Sequence, residues 1–168
     1  MLLTNHVLSG ALVGAVTRRP VPAFLLGVAS HFVLDAIPHW GQWSDPRMLL
    51  RVAVPDGLAG LAAMAGLTAA APPGSRAAVV AGMAGAALPD MDKPAMLWFG
   101  WKLWPRPVRH LHSRIQDEAP SRYTVEIAAA GVFVVSGLTL RWLRNAIPDP
   151  VSLPAGPWQA ASARAAAR

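Results

Sequence analysis

The chain has 168 residues, of which 54% are apolar and only 14% are charged, and it contains no cysteine. A typical soluble domain is about 45–50% apolar and about 25% charged, so this composition excludes an intrinsically disordered protein. The absence of cysteine excludes a disulfide scaffold, an Fe–S cluster and a Cys-ligated zinc site. The net charge of +6 suits nucleic acid or an anionic membrane. The basic residues flank apolar stretches, which favours the membrane and predicts no nucleic-acid partner.

Five apolar stretches rich in Ala, Leu, Val and Gly run along the chain without the alternation of a β-strand, and we predict a helix at each. Three of them end at proline, which lacks the backbone N–H and clashes with the preceding turn. The predicted fold class is therefore all-α, a bundle of about five helices. The stretches cover residues 2–16, 21–37, 52–71, 77–88 and 125–143.

The second, third and fifth stretches have 17–20 residues, close to the roughly 20 that a membrane-spanning helix needs. We therefore expect a membrane-embedded, multi-pass protein of the inner (plasma) membrane, and a soluble Ala-rich helical domain is the alternative. No basic residue precedes the first stretch, whereas Arg18 and Arg19 follow it. That order predicts a retained helix rather than a cleaved signal peptide.

The chain from residue 95 to residue 122 has a different composition. Trp98, Trp101 and Trp104 recur every three residues beside Lys and Arg, a pattern typical of a membrane interface. A helix that packs its aromatic side chains inward is the alternative. We assign residues 1–144 to one helical domain that ends with a helix over 123–144, and residues 145–168 to a flexible tail.

The chain also contains a predicted internal repeat, in which residues 1–39 and 52–94 are two copies of a helical hairpin. In each copy a polar residue stands near the start of the first helix, and an aspartate stands at the end of the second. Because these two points are adjacent in an antiparallel hairpin, we expect the four side chains to gather at one end of the bundle. They are His6 and Asp35, then Asp56 and Asp90.

Potential metal ligands follow one another at helical spacing in His31, Asp35 and His39. Each step of four residues advances only about 40° around a helix, so the three side chains face nearly the same way. Imidazole and carboxylate are standard ligands of zinc, manganese and iron. The triplet therefore predicts a metal site, although each residue alone is equally compatible with a capped or solvated side chain.

Two further pairs of ligand-type residues follow. Asp90 and Asp92 stand between two prolines, and carboxylates at this spacing can bind one divalent ion or bridge two. Acids at a helix C-terminus also require a compensating cation. His110 and His112 share a face if their segment is extended. A solvated helix-end turn is the alternative for the two aspartates, and a basic stretch against lipid headgroups is the alternative for the two histidines.

Glu126, at the start of the last helix, suits the helix dipole and is interpreted as structural.

The candidate site combines these residues with nearby arginines that could neutralise a phosphate. The predicted catalytic residues are Asp92, Arg109 and Arg114. The predicted metal ligands are His6, His31, Asp35, His39, Asp56, Asp90, Asp92, His110 and His112. The expected cofactor is a divalent metal, zinc first and manganese or magnesium as alternatives.

The Thr4-Asn5-His6 segment, the block from Gly27 to Trp40, the Leu88-Pro89-Asp90-Met91-Asp92 block and His110-x-His112 resemble the bacterial membrane-bound, metal-dependent hydrolases of the YdjM-like family. That family is distantly similar to the zinc-dependent phospholipase C and P1 nuclease group, which are all-helical phosphoesterases with a metal cluster. The resemblance covers roughly residues 4–112. This sequence differs from the phospholipase group because it lacks an N-terminal Trp ligand and a His-x-x-x-Glu helix.

These observations lead to a functional hypothesis of a membrane-bound, divalent-metal-dependent hydrolase that acts on a phosphoester, including lipid-like ones. Its expected partners are membrane lipids and the phosphoester substrate. The alternative is a non-enzymatic membrane protein in which a structural metal or a His/Asp network fastens the hairpins or binds a partner. A lipid-phosphate transferase that uses the Asp90-x-Asp92 pair is a third hypothesis.

Overall fold

The computed structural model describes residues 1–41 and 46–146, and the regular structure in these ranges is almost entirely helical, which confirms the all-α class. A 3₁₀ turn over Leu88–Met91 and two two-residue strands, β1 (His39–Trp40) and β2 (Glu118–Ala119), complete it. The helices are α1 (Leu3–Thr17), α2 (Pro20–Asp35), α3 (Pro46–Ala70), α4 (Pro73–Ala87), α5 (Asp92–Phe99), α6 (Arg106–Ile115) and α7 (Tyr123–Ala146).

Proline and a left-handed residue set several helix boundaries. Arg18 ends α1 with a φ of 57°, and Pro20 then starts α2, because its fixed φ suits the first turn and its missing N–H has no partner there. Pro73 starts α4 in the same way. The third helix departs most from the prediction, since α3 begins at Pro46 and continues through Pro55.

Three helices pack closely at glycine residues. Helix α4 lies against both α1 and α2. A Cβ atom added to Gly10 or to Gly27 would collide with the carbonyl oxygen of Gly82, and one added to Gly82 would collide with that of Gly10. Small residues that allow backbones to touch in this way are typical of helix pairs in membranes. The side chains of Val7, Val79 and Met83 fill the core beside this crossing.

The two short strands connect distant parts of the chain. They pair in parallel, His39 with Glu118 and Trp40 with Ala119. The Asp117 N–H also donates to the carbonyl of Asp35 at 3.1 Å. The chain that follows α2 is therefore fixed to the chain that follows α6, a long-range contact that the sequence did not predict.

Two helices are long and apolar enough to cross a membrane, over Arg47–Ala70 and Tyr123–Asn145. Apolar side chains such as Leu58 and Leu61 on α3, and Val132 and Val135 on α7, are more than half exposed. The remaining apolar helices are shorter, and α2 has only 16 residues. Length and composition thus allow two spans among the described residues.

The chain divides into two compact units, Met1–Ser136 and Gly137–Arg168. In the first unit, the segment predicted to lie at an interface contains α5 and α6. In the second, the structure describes the end of α7, which extends to Ala146. The predicted flexible tail therefore lies almost wholly outside the described residues, in 147–168.

Replacing Gly82 by alanine tests the helix crossing. The new methyl group would meet the backbone of Gly10, so we expect the free energy of unfolding to fall by about 1–3 kcal/mol, measured by denaturation of the purified protein. Gly66→Ala is the matched control, because nothing lies within 4 Å of the added Cβ, and it should be neutral or slightly stabilising. Equal stability of the two variants would contradict the close contact.

Candidate metal centre

The centre of the site is the carboxylate of Asp35, the last residue of α2, which is completely buried. Its Oδ2 atom lies 3.0 Å from His112 Nε2, 3.2 Å from His31 Nε2 and 3.2 Å from Gln116 Nε2. Its Oδ1 atom lies 2.7 Å from the Met1 ammonium and 3.1 Å from His6 Nε2. Each carboxylate oxygen therefore has its own group of nitrogen neighbours.

Four of these residues form a group that could hold a metal ion. One ligand atom each from His31, Asp35, Asp90 and His112 lies within 4.8 Å of all the others, and all four residues are buried. The two imidazole Nε2 atoms are 3.1 Å apart. Ligand atoms around one tetrahedral zinc ion are about 3.3 Å apart, since each bond is about 2.0–2.1 Å long. Asp90 Oδ1 is slightly farther away, 3.7 Å from His112 and 4.0 Å from His31.

The hydrogen bond at the other ring nitrogen of His31 supports this interpretation. His31 Nδ1 lies 2.7 Å from the carbonyl oxygen of Ala86, which can only accept, so Nδ1 is the donor. In a neutral ring the Nε2 lone pair then faces the Asp35 carboxylate. Only a second proton on the ring or a cation between the two atoms makes this contact attractive. A backbone carbonyl that orients a histidine in this way is common around bound metals.

Helix ends bring the four residues together. Asp35 ends α2, and Asp90 lies in the 3₁₀ turn directly after α4. Both carboxylates therefore stand at the negative end of a helix dipole, where a cation is favoured. His31 lies one turn before Asp35 on the same face of α2, and His112 reaches the cluster from α6, whose end is fixed by the β1–β2 pair.

The charges of the cluster are set by burial and by close partners. Burial raises the pKa of Asp35, but the imidazoles of His112, His31 and His6 lower it more, so the pKa lies well below its usual range. Burial likewise raises the pKa of Asp90, and the Lys93 ammonium at 2.8 Å offsets this and brings it to about 2. Both carboxylates are therefore anionic at neutral pH.

A pocket of about 730 Å³ opens beside the cluster. Two residues near Asp35, His112 and Gln116, belong to its wall, so the pocket reaches the candidate metal ligands. Three basic side chains also line the pocket, and they would attract an anion that enters it. The polar residues that line it include Lys93, Arg106, Arg109, His110, His112 and Gln116.

Two predicted ligands have other partners and lie outside the four-residue group. Asp56 accepts hydrogen bonds from the N–H groups of Leu3 and Thr4, at 2.6 and 3.2 Å, and from the Thr4 hydroxyl. It therefore caps the start of α1 from α3. Asp92 accepts from the N–H groups of Leu103 and Trp104 and contacts Arg109 Nε at 3.0 Å.

The two histidines predicted to share a face do not do so. His110 and His112 lie in a helix, where residues two apart point in different directions, rather than in an extended segment. As a result His112 is buried in the cluster, whereas His110 is exposed and lines the pocket. Arg109 also lines the pocket, but Arg114 is exposed and is not among its lining residues.

Two other predicted ligands, His6 and His39, are completely buried beside the four-residue group. His6 stacks on His31 with ring centroids 4.0 Å apart, and burial lowers its pKa to about 4, against the raising effect of Asp35. His39 Nδ1 donates to the carbonyl of Ile37, and its Nε2 atom lies 3.9 Å from Asp35 Oδ1.

Glu126 makes contacts that the sequence did not predict, and it is almost completely buried. It accepts hydrogen bonds from Asn5 Nδ2 at 2.7 Å, from the Leu2 N–H at 3.2 Å and from the Trp40 N–H at 3.3 Å. Asn5 and Trp40 directly adjoin His6 and His39. A lone acid at the start of an apolar helix is the signal that could have indicated this contact.

Comparisons with protein-family models, with curated proteins and with solved structures found no match. The resemblance to metal-dependent hydrolases is therefore an expectation from the sequence.

Asp56→Ala separates a helix cap from a metal ligand. Losing the cap should lower the free energy of unfolding by about 0.5–2 kcal/mol, while zinc bound per chain, measured by elemental analysis, should stay as in the unaltered protein. Asp90→Ala is the comparison, and it should lower the bound zinc. Loss of zinc from Asp56→Ala alone would contradict the assignment.

Proposed function

We propose that the chain is a membrane-bound, divalent-metal-dependent hydrolase that acts on phosphoesters. The observation that carries this proposal is the buried His31, Asp35, Asp90 and His112 group at the wall of a pocket with basic side chains. Two nitrogen and two oxygen ligands suit zinc first, with manganese or magnesium as alternatives. When bound, such an ion supplies Lewis acidity and favours ionisation of water near neutral pH.

The pocket residues supply the means to bind an anionic substrate. Lys93, Arg106 and Arg109 line one pocket, and a guanidinium can hold two phosphate oxygens at once. Asp92 contacts Arg109 at 3.0 Å and the Leu103 N–H at 2.6 Å. Because both of its oxygens are engaged, we assign Asp92 to positioning Arg109 and the loop before α6, rather than to proton transfer.

The exposed apolar surface supports a place in the membrane. In this proposal α3 and α7 cross the bilayer, and the protein resides in the inner membrane as a multi-pass protein in contact with lipid. Trp98, Phe99 and Trp101 are each more than 60% exposed and would lie at the interface, where aromatic rings accumulate. Trp104 lines the pocket from the same segment, so a lipid-like phosphoester is the substrate that this arrangement favours.

One observation favours a second candidate function. The four ligands come from three separate segments, namely α2, the turn after α4, and α6. A metal there would fasten these segments together even without catalysis, because a structural ion contributes directly to folding. Under this candidate the protein is not an enzyme, and the pocket binds a partner.

His112→Gln should remove both bound metal and hydrolysis of a chromogenic phosphodiester, since it deletes a ligand at the pocket wall. The matched control is His110→Gln on the same helix, which should retain the metal because the imidazole is exposed. Treatment with a chelator should abolish turnover, and added zinc should restore it. Bound metal without turnover on any phosphoester would favour the structural candidate, and absence of bound metal would contradict both.

Membrane insertion predicts that the full chain stays in the membrane fraction after alkaline carbonate extraction. Two apolar helices of this length are inserted too stably to be released by a rise in pH. The measurement is an immunoblot of pellet and supernatant, with a peripheral and an integral membrane protein as controls. Release of the chain into the supernatant would contradict the proposed spans.

A further inference from the structure

Lys93 connects the candidate metal centre to the pocket beside it. It stands in the first turn of α5, three residues after Asp90, and its ammonium lies 2.8 Å from Asp90 Oδ1. The same oxygen faces two imidazoles of the four-residue group, 3.7 Å from His112 Nε2 and 4.0 Å from His31 Nε2. One carboxylate oxygen is therefore approached both by a lysine and by two candidate metal ligands.

The contact between Lys93 and Asp90 is one of opposite charges. Asp90 Oδ1 is buried and has no hydrogen-bond partner of good geometry, so no directed bond holds the ammonium in place. Burial lowers the pKa of Lys93, but the Asp90 carboxylate raises it more, so the side chain is positively charged at neutral pH. Because a buried carboxylate needs positive charge nearby, Lys93 takes the place of a cation beside Asp90.

The ammonium would compete with a divalent ion at the four-residue group for this oxygen. Bonds from zinc to a carboxylate oxygen are about 2.0–2.2 Å long, so an ion bonded to Oδ1 would lie within about 5 Å of Lys93 Nζ. Two cations at that distance repel each other strongly where bulk water is excluded. Binding of an ion at Asp90 therefore favours departure of the ammonium.

The pocket gives the displaced ammonium another place to bind. Lys93 lines it together with Arg106 and Arg109, and the lysine side chain is 54% exposed, so it has room to move. A lysine carries a point charge on a flexible stem, whereas an arginine has a planar head of fixed geometry. Arg109 is also held by Asp92 at 3.0 Å. Among these three basic side chains, Lys93 is thus the one suited to change partners.

We propose that Lys93 exchanges partners, from Asp90 in the metal-free protein to an anionic phosphoryl group in the pocket when a divalent ion binds. The inference rests on the proposed function, because it takes the four-residue group as the metal site and the pocket as the anion site. It adds a linkage between the two sites. Since the ammonium reaches the anion only after it leaves Asp90, each ligand raises the affinity for the other.

The test measures binding of phenylphosphonate, a phosphate analogue with a stable C–P bond, to the full-length protein by calorimetry with and without zinc. Lys93→Met should weaken phosphonate binding about tenfold in the zinc-loaded protein, the scale of one hydrogen bond to a charged group. It should leave phosphonate binding unchanged in the zinc-free protein. The affinity for zinc should rise about fivefold or more, because the competing cation is gone. Lys102→Met is the matched control and should change neither affinity, because this exposed lysine is not among the residues that line the pocket.

Phosphonate binding that weakens by the same factor with and without zinc would overturn the exchange, because Lys93 would then contact the anion in both states. Unchanged phosphonate binding in both states would also overturn it, as would an affinity for zinc that is unchanged or lower in Lys93→Met. These outcomes leave the proposed function intact, whereas no bound zinc in the unaltered protein would overturn both. Circular dichroism confirms folding, and Lys93→Gln replaces Lys93→Met if the latter does not fold.

Discussion

The buried Asp35 carboxylate is the constraint on which the rest of the structure depends. An ionised carboxylate without solvent costs several kcal/mol unless positive charge or hydrogen-bond donors surround it. The negative end of the α2 dipole adds to that cost, because Asp35 is the last residue of the helix. Imidazoles from α1, α2 and α6, together with the Met1 ammonium, enclose it. Three helices and the N-terminal ammonium thus surround one buried anion, which requires positive charge nearby.

The glycine contacts of α4 with α1 and α2 determine how closely the imidazoles and carboxylates of the site approach one another. Gly10 lies one helical turn after His6, and Gly27 lies one turn before His31. Both glycines contact the Gly82 carbonyl region of α4, and α4 leads into the turn that carries Asp90. Larger residues at these positions would separate the helices and move the ligands apart. The same backbone contacts thus determine both the packing of the helices and the size of the candidate metal centre.

The sequence predicted the all-α class, five of the seven helices in the described residues, and the common face of His31 and Asp35. His31 and Asp35 lie four residues apart in an apolar helix, so their common face followed from helical geometry. The choice between Asp90 and Asp92 did not, because a 3₁₀ turn directs Asp90 inward and leaves Asp92 to bind the loop before α6. His110 points away from His112 because their segment is helical rather than extended.

Long-range pairing accounts for the rest of what the sequence could not reveal. The repeat predicts Asp56 near the start of a helix, but α3 begins at Pro46, and the oxygens of Asp56 accept from the N–H groups of Leu3 and Thr4 in the first turn of α1. Glu118 has no distinguishing neighbours in the sequence, and only the two-residue strand pair places it opposite His39. A contact of this kind depends on where α6 ends relative to α2, which no local pattern encodes.

Glu126 connects the candidate membrane span to the metal centre. Its carboxylate binds the Leu2 N–H, Asn5 and the Trp40 N–H, and the last two residues adjoin the buried imidazoles of His6 and His39. The first turn of α7 therefore holds the backbone next to both imidazoles that approach Asp35 Oδ1. A buried carboxylate that loses its hydrogen-bond donors destabilises the folded protein. Asn5 and Trp40 would therefore follow a shift of α7, and the adjoining imidazoles would move with them. The position of α7, which is long and apolar enough to cross a membrane, and the geometry of the candidate metal centre are thus linked through one side chain.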